Sequence, residues 1–199
     1  MSSEDILARR VAVIRHIVSR NGDLGKTQIQ KIVYFLQESI GVPLKYRYRM
    51  HYYGPYSDEL DGNLSLTESI GYIDIDPDPN GFGYHVTPVK ERENTPWQGY
   101  DMSKDPEVRD LTEVINNAID ILGALETPQI ELYATIQLLQ RENGADRQET
   151  EDKVFYRTYR LLVPETQECQ PDLSSTDSWF HRASAYSQRA PFDGMIKFS

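Results

Sequence analysis

From Lys45 to Tyr53 the chain reads Lys-Tyr-Arg-Tyr-Arg-Met-His-Tyr-Tyr. In an extended backbone successive side chains point to opposite faces, so Lys45, Arg47, Arg49 and His51 share one face and Tyr46, Tyr48, Met50 and Tyr52 the other. Register in such a segment leaves no middle ground: one face is buried and the other meets water. The expectation is a strand with its aromatic face turned inward. Two readings of the basic face stand side by side. It is a solvated edge of the fold, or Arg47 and Arg49 pair with phosphates while exposed Tyr stacks on bases.

The flanking segments set the architecture. Leu7, Val11, Ile14 and Val18 recur at helical spacing and predict a helix over 6–19, stopped by Asn21, Gly22 and Asp23. Ile29, Ile32, Val33, Leu36 and Ile40 predict a second over 27–40, ended by Gly41 and Pro43, with Gln28, Lys31 and Glu38 on its outer face. After Gly54-Pro55, Ser57 is placed to cap a third helix whose first turn holds Asp58 and Glu59 and whose apolar positions are Leu60, Leu64 and Ile70. Two β-rich runs, 72–75 and 82–87, flank Asp76-Pro77-Asp78-Pro79-Asn80-Gly81 and predict a hairpin. Helix, helix, strand, helix, hairpin is the order of a winged-helix-like domain over 1–88, within an α+β fold.

Residues 89–104 show no period and read as a linker or wrapping segment. Over 105–163 the pattern is helical again. Val108, Leu111, Ile115, Ile119 and Leu122 form one stripe, and Ile130, Tyr133, Ile136 and Leu139 a second, opened by Thr127-Pro128. A third helix is expected from Asp146 through Leu161. The short connections predict that these helices pack on the N-terminal part. From Pro164 to Ser199, Ser, Gln, Pro and Asp dominate, and a mobile tail or extended arm is expected.

The segments LGKTQIQKIVYFLQ and RMHYYGPYSDEL resemble the signature of the YwgA-like proteins of bacteria and, more distantly, of the Panacea (SocA-like) domain. The matching positions are Lys31, Tyr34, Tyr53, Gly54 and Pro55, with Gln28 one turn before. The resemblance covers roughly residues 5–88, and ELYATIQLL at 131–139 is similar to a later helix of the same family. It implies a small α+β domain related to winged helices, with antitoxin or adaptor roles among the Panacea relatives and no assigned activity for the YwgA-like ones.

Charge and chemistry narrow the function classes. The chain carries 21 Lys+Arg against 31 Asp+Glu, a net −10, yet 24–53 holds five bases and one acid while 101–152 holds 13 acids and four bases. The acidic half is either a set of solvated helix faces or a surface that screens nucleic acid and meets a basic partner. No apolar run approaches the roughly 20 residues that span a bilayer, and no signal-peptide order opens the chain, which predicts a cytoplasmic protein with no membrane partner. Cys169 is the lone cysteine, so no intramolecular disulfide and no Cys cluster for zinc is expected, and Glu168 and Asp172 beside it argue against an activated thiol. Asp74, Asp76 and Asp78 alternate as calcium ligands do, but prolines interrupt them and the twelfth position is His85. Gly81-Phe82-Gly83 lacks the strand-to-helix context of a nucleotide loop. No metal or cofactor is expected.

Tyr53-Gly54-Pro55-Tyr56 is a turn first; it also sets Tyr53 and Tyr56 beside His51 above a helix N-terminus that attracts anions. His51 is a candidate general base without a nucleophile motif beside it. The candidate binding surface is therefore Lys31, Arg47, Arg49, His51, Tyr53 and Tyr56. The expected function is that of a non-enzymatic regulatory or adaptor protein, antitoxin-like or defence-associated, whose partner is another protein such as a toxin or defence effector. The alternatives are a DNA-binding regulator and an enzyme acting through His51 and its Tyr neighbours. Self-association stays open.

Overall fold

The computed structural model describes residues 2–79, 81, 83–90 and 95–143. Helix α1 (Ser3–Asn21) starts earlier than its apolar period because Ser2 forms a capping box: its hydroxyl accepts from the Asp5 amide, and the Ser2 amide donates to the Asp5 carboxylate. Gly22, at φ 77°, ends it and donates to the Val18 carbonyl. The short strand β1 (Leu24–Gly25) leads into α2 (Lys26–Glu38).

Every residue of α2 from Gln28 to Tyr34 is buried, which overturns the outer face assigned to Gln28 and Lys31. Helices α4 (Thr112–Gly123) and α5 (Thr127–Asn143) pack on α2, as do α1 and the strand β3 (Gly54–Tyr56), so the helix is covered on several sides. The buried polar groups are accepted because free carbonyls await them. The Gln28 amide donates to Gly123 O and Leu125 O, at the C-terminal end of α4 where helix carbonyls lack intrahelical partners. Glu38, half-buried, pairs with Arg141 of α5.

The predicted long strand is mostly not a strand. Only Arg49–His51 (β2) pairs, antiparallel to β3, with Arg49 opposite Tyr56, Met50 opposite Pro55 and His51 opposite Gly54. Side chains claim the backbone of the residues before it. Arg9 donates to Pro43 O and Arg10 to Leu44 O and Lys45 O, while Gln37 both accepts from Tyr46 N–H and donates to Tyr46 O. Lys45 sits at φ 57°. The facing nonetheless holds: Lys45, Arg47 and Arg49 are exposed, Tyr46 is buried, and Tyr48 and Met50 are partly buried against Tyr34, Ala134 and Leu138. Tyr52 breaks the rule and is 71% exposed, because the chain reverses at Tyr52-Tyr53 and the two-residue period ends there. Gly54-Pro55, expected as the turn, lies in β3.

Ser57 caps α3 (Asp58–Ser69) by accepting from the Leu60 amide, and Leu60 and Leu64 are buried. Strands β4 (Ile73–Pro77) and β5 (Tyr84–Pro88) form the expected hairpin, and β1 adds to it in the order β1-β5-β4. The expected linker is tied in within its length and just beyond its end. Tyr72 O–H donates to Pro96 O, and the buried Arg9 makes a bidentate pair with Asp105 at 2.8 and 3.0 Å. On α5 the buried line is Ile130, Ala134 and Leu138, while Tyr133, Ile136 and Leu139 are only half-buried. Spacing by four rather than three puts the small Ala134 inward, where α5 comes close to β3: a Cβ on Gly54 would meet the Thr135 side chain and lie 3.3 Å from Glu131 O.

The described chain is thus mixed α+β, with small antiparallel sheets and five α-helices. Among the described residues no helix is long and apolar enough to cross a membrane. The helix expected over Asp146–Leu161 and the tail after Pro164 lie outside the described residues.

Candidate functional site

A pocket of about 260 Å³ opens where the N-terminal end of α2, the β2–β3 hairpin, the start of α3 and the β4–β5 hairpin meet. Four of the six sequence-predicted residues line it: Lys31, His51, Tyr53 and Tyr56. Arg47 and Arg49 are absent from the lining and stay exposed on the outer face of their segment. Lys26, Thr27, Gln30, Asp61, Gly83 and Tyr84 complete the wall. Of these, Lys26 and Gln30 carried a signal in their place at the start of a helix; Gly83 and Tyr84 come from the distant hairpin and carried none.

Lys31 has a different place from the one its charge suggests. Only 1% exposed, it donates to Pro55 O at 2.8 Å. Burial lowers its pKa to about 8, with Glu131 of α5 opposing the shift; Glu131 is itself pushed up by burial. Immediately before Lys31, Gln30 donates to Ser57 O and accepts from Ser57 N–H, at 3.0 and 3.1 Å. Two consecutive side chains of α2 therefore hold the backbone of Pro55 and Ser57. The motif Lys31, Tyr34, Gly54, Pro55 fixes geometry: Lys31 clamps the strand, Gly54 admits α5, and the Tyr34 ring stacks edge-on against Tyr48 at 4.9 Å.

The rim is aromatic. The His51 ring lies 5.1 Å from Tyr56 and 5.0 Å from Tyr52, and Tyr53 and Tyr84 are 57% and 51% exposed. Lys26 pairs with Asp61 at 2.7 Å and sits 5.5 Å from the centre of the Tyr84 ring. The Tyr56 phenol is pushed up by burial and by Asp61 and Asp58 nearby. Outside the pocket, Arg49 makes a bidentate pair with Asp58 at 3.1 and 3.0 Å and lies 5.7 Å from the Tyr56 ring; its hydrogen bonds hold the Asp58 carboxyl below the usual carboxylate range.

This arrangement can hold a small acidic or planar group: two amines at the floor and side, phenols and an imidazole for stacking and hydrogen bonding. Two further features bear on what enters. The first turns of α2 turn Gln28, Gln30 and Lys31 inward, leaving no row of free donors there. Helix α3 carries Asp58, Glu59, Asp61 and Glu68 and no Lys or Arg. Among the described residues no three His, Cys, Asp or Glu side chains gather as a metal-ion cluster. The chain matches no family model, and no curated protein matches it at a significant level.

Proposed function

We propose that this chain is a non-enzymatic bacterial regulatory or adaptor protein, antitoxin-like or defence-associated, that captures an acidic segment of a partner protein in the pocket between α2 and the two hairpins. The observation that carries the reading is the pairing of Lys26 and Lys31 with the Tyr53, Tyr56 and Tyr84 rim in one cavity of about 260 Å³. A carboxylate side chain fits the amines, and the flanking backbone of an extended segment fits the exposed rings. Arg47 on the adjoining outer face extends the same sign of charge along such a segment, and Arg49 beside it shares its charge with Asp58.

The winged-helix reading, and with it kinship to the YwgA-like and Panacea proteins, is part of this proposal. The order α1, β1, α2, α3, β4, β5, with β1 beside β5, supports it. In such a fold α2 and α3 form the helix-turn-helix, and the second of the pair enters the major groove. Here that helix is α3, whose acids would face phosphates and repel them. This favours a winged helix turned to protein binding over one that reads DNA.

The test is a titration of the full chain with a fluorescent Asp/Glu hexapeptide and with a labelled DNA duplex over a range of salt. The expected result is peptide binding that weakens in Lys26→Ala and Tyr84→Ala, with no duplex binding at physiological salt. Salt-dependent duplex binding that vanishes in the Arg47→Ala/Arg49→Ala variant, with no peptide binding, would establish the DNA reading instead.

A further inference from the structure

His85 of β5 stands between two carboxylates. Its Nδ1 lies 2.9 and 3.1 Å from the two oxygens of Asp23, in the connection between α1 and β1, and its Nε2 lies 3.1 Å from Asp78, in the turn between β4 and β5. A carboxylate only accepts hydrogen bonds, so a neutral imidazole, with one N–H, would set a bare nitrogen lone pair against one of the two. The geometry is that of an imidazolium donating on both sides. A third acid adds to the field: Asp76 is directly opposite His85 in the β4–β5 register, and side chains of directly opposed residues share a face.

The other elements packed on β5 bring little positive charge to this ring. Residue Gly25 of β1, opposite His85 on its other side, has no side chain. From α1, Arg15 lies over the Tyr72 ring and Arg20 pairs with Asp120. From α2, Lys26 pairs with Asp61. The two acids flanking the ring raise its pKa above the ordinary 6.5. A raised value in the folded state means that the tie is complete below the ordinary value and is lost as pH rises through the folded one.

The tie is next to the pocket. Gly83 and Tyr84, immediately before His85, form one pocket wall, and Asp78 N–H donates to Gly83 O across the same turn. We propose that His85 is a proton-operated latch: charged, it joins Asp23 to Asp78 and fixes the Gly83-Tyr84 wall; neutral, it releases one of the two acids and the wall loosens. The pocket therefore holds its acidic segment more tightly when His85 is charged than when it is neutral. This regulation rests on the pocket reading above, while the latch itself is measured without any ligand.

The ligand-free experiment is an NMR titration of the His85 ring in the full chain, its signal identified among the four histidines by its loss in His85→Gln. The expected midpoint lies above the ordinary histidine value and falls in both Asp23→Asn and Asp78→Asn. Faster exchange of the Gly83 and Tyr84 amides on the alkaline side, beyond the intrinsic rise of exchange with pH, accompanies it in the wild type and not in His85→Gln. The Asp/Glu hexapeptide is then titrated at about pH 6 and about pH 8.5, where the wild type loses about fivefold more affinity than His85→Gln, a coupling at the low end of the usual range. Lys31 titrates in the same window in both proteins, so the latch is read in the difference. A His85 midpoint at its ordinary value, or one unmoved by the two Asn variants, overturns the proposal, as do identical pH profiles of peptide affinity in the two proteins. A raised midpoint with latch-dependent exchange but no peptide binding at any pH keeps the latch and removes the pocket reading.

Discussion

The Lys31 ammonium donates to the Pro55 carbonyl at 2.8 Å, so the most buried cation of α2 serves the backbone of the strand it faces. A Lys this deeply buried is retained only where an acceptor offsets its desolvation, and here the acceptor lies just before the start of α3.

Removing that side chain exposes both of its roles. Lys31→Ala leaves the Pro55 carbonyl unpaired and a void among buried side chains, and it should cost about 2–4 kcal/mol in denaturant unfolding. Because Lys31 titrates near 8 when folded and near 10.5 when free, the unfolded chain binds more protons between those values and wild-type stability gains as pH rises through them. The gain is on the order of 3 kcal/mol, for values about 2.5 apart. Stability curves of Lys31→Met against wild type over this range should differ by that slope; parallel curves would show that Lys31 keeps its ordinary pKa.

Gly54 and Gly62 offer a paired test of backbone geometry. At φ 87°, with Thr135 and Glu131 of α5 where a Cβ would go, Gly54→Ala should destabilise by about 2–4 kcal/mol. Gly62, within α3 and open on its outer side, should gain about 0.5–1 kcal/mol on replacement by Ala. Thermal melts of the two single variants moving in the same direction would contradict the packing of α5 on β3.

The Arg9–Asp105 pair binds the segment before α4 to α1. Arg9 is 2% exposed, and Asp105→Ala removes its bidentate partner while Glu107 stays paired with it at 2.7 Å, at a cost of about 1.5–3 kcal/mol. Burial pushes the Asp105 carboxyl up, but hydrogen bonds from Arg9 and Tyr100 outweigh it and hold the group below 3.8. Its stabilisation is therefore present above 3.8 and lost as pH falls through the lower folded value. Acid unfolding followed by circular dichroism should begin at higher pH in the variant than in the wild type.

On the outer face, Arg49→Glu replaces an exposed partner of the exposed Asp58 and should change stability by less than about 1 kcal/mol. Acidic-peptide capture should fall in the same variant. Equal capture at equal stability would restrict the binding surface to the pocket, and a large drop in melting temperature would make Arg49 a structural residue.

Much of the local structure was legible in the sequence. The Ser57 cap, the inward Leu60 and Leu64, the hairpin around Asp78-Pro79 and the facing of Lys45 through Met50 all follow from short-range chemistry. What escaped depends on neighbours far along the chain. Gln28 and Lys31 read as surface residues because periodicity registers apolar faces, whereas their acceptors come from residues 123, 125 and 55. Two-residue β1 shows no alternation, and β3 reads as a turn because Gly-Pro signals one locally. Of the site, the turn residues and Lys31 were visible; Tyr84 was not, since only the fold carries the second hairpin to α2.

The enclosure of α2 also has a cost during synthesis. Its neighbour α5 lies about a hundred residues downstream, as the Gln137–Ser39 bond across 98 positions measures. At roughly 5–20 residues per second, α2 waits roughly 5–20 s on the ribosome before α5 can cover Tyr34 and the apolar surface beside it. Over that interval the nascent chain presents apolar surface that the finished fold conceals.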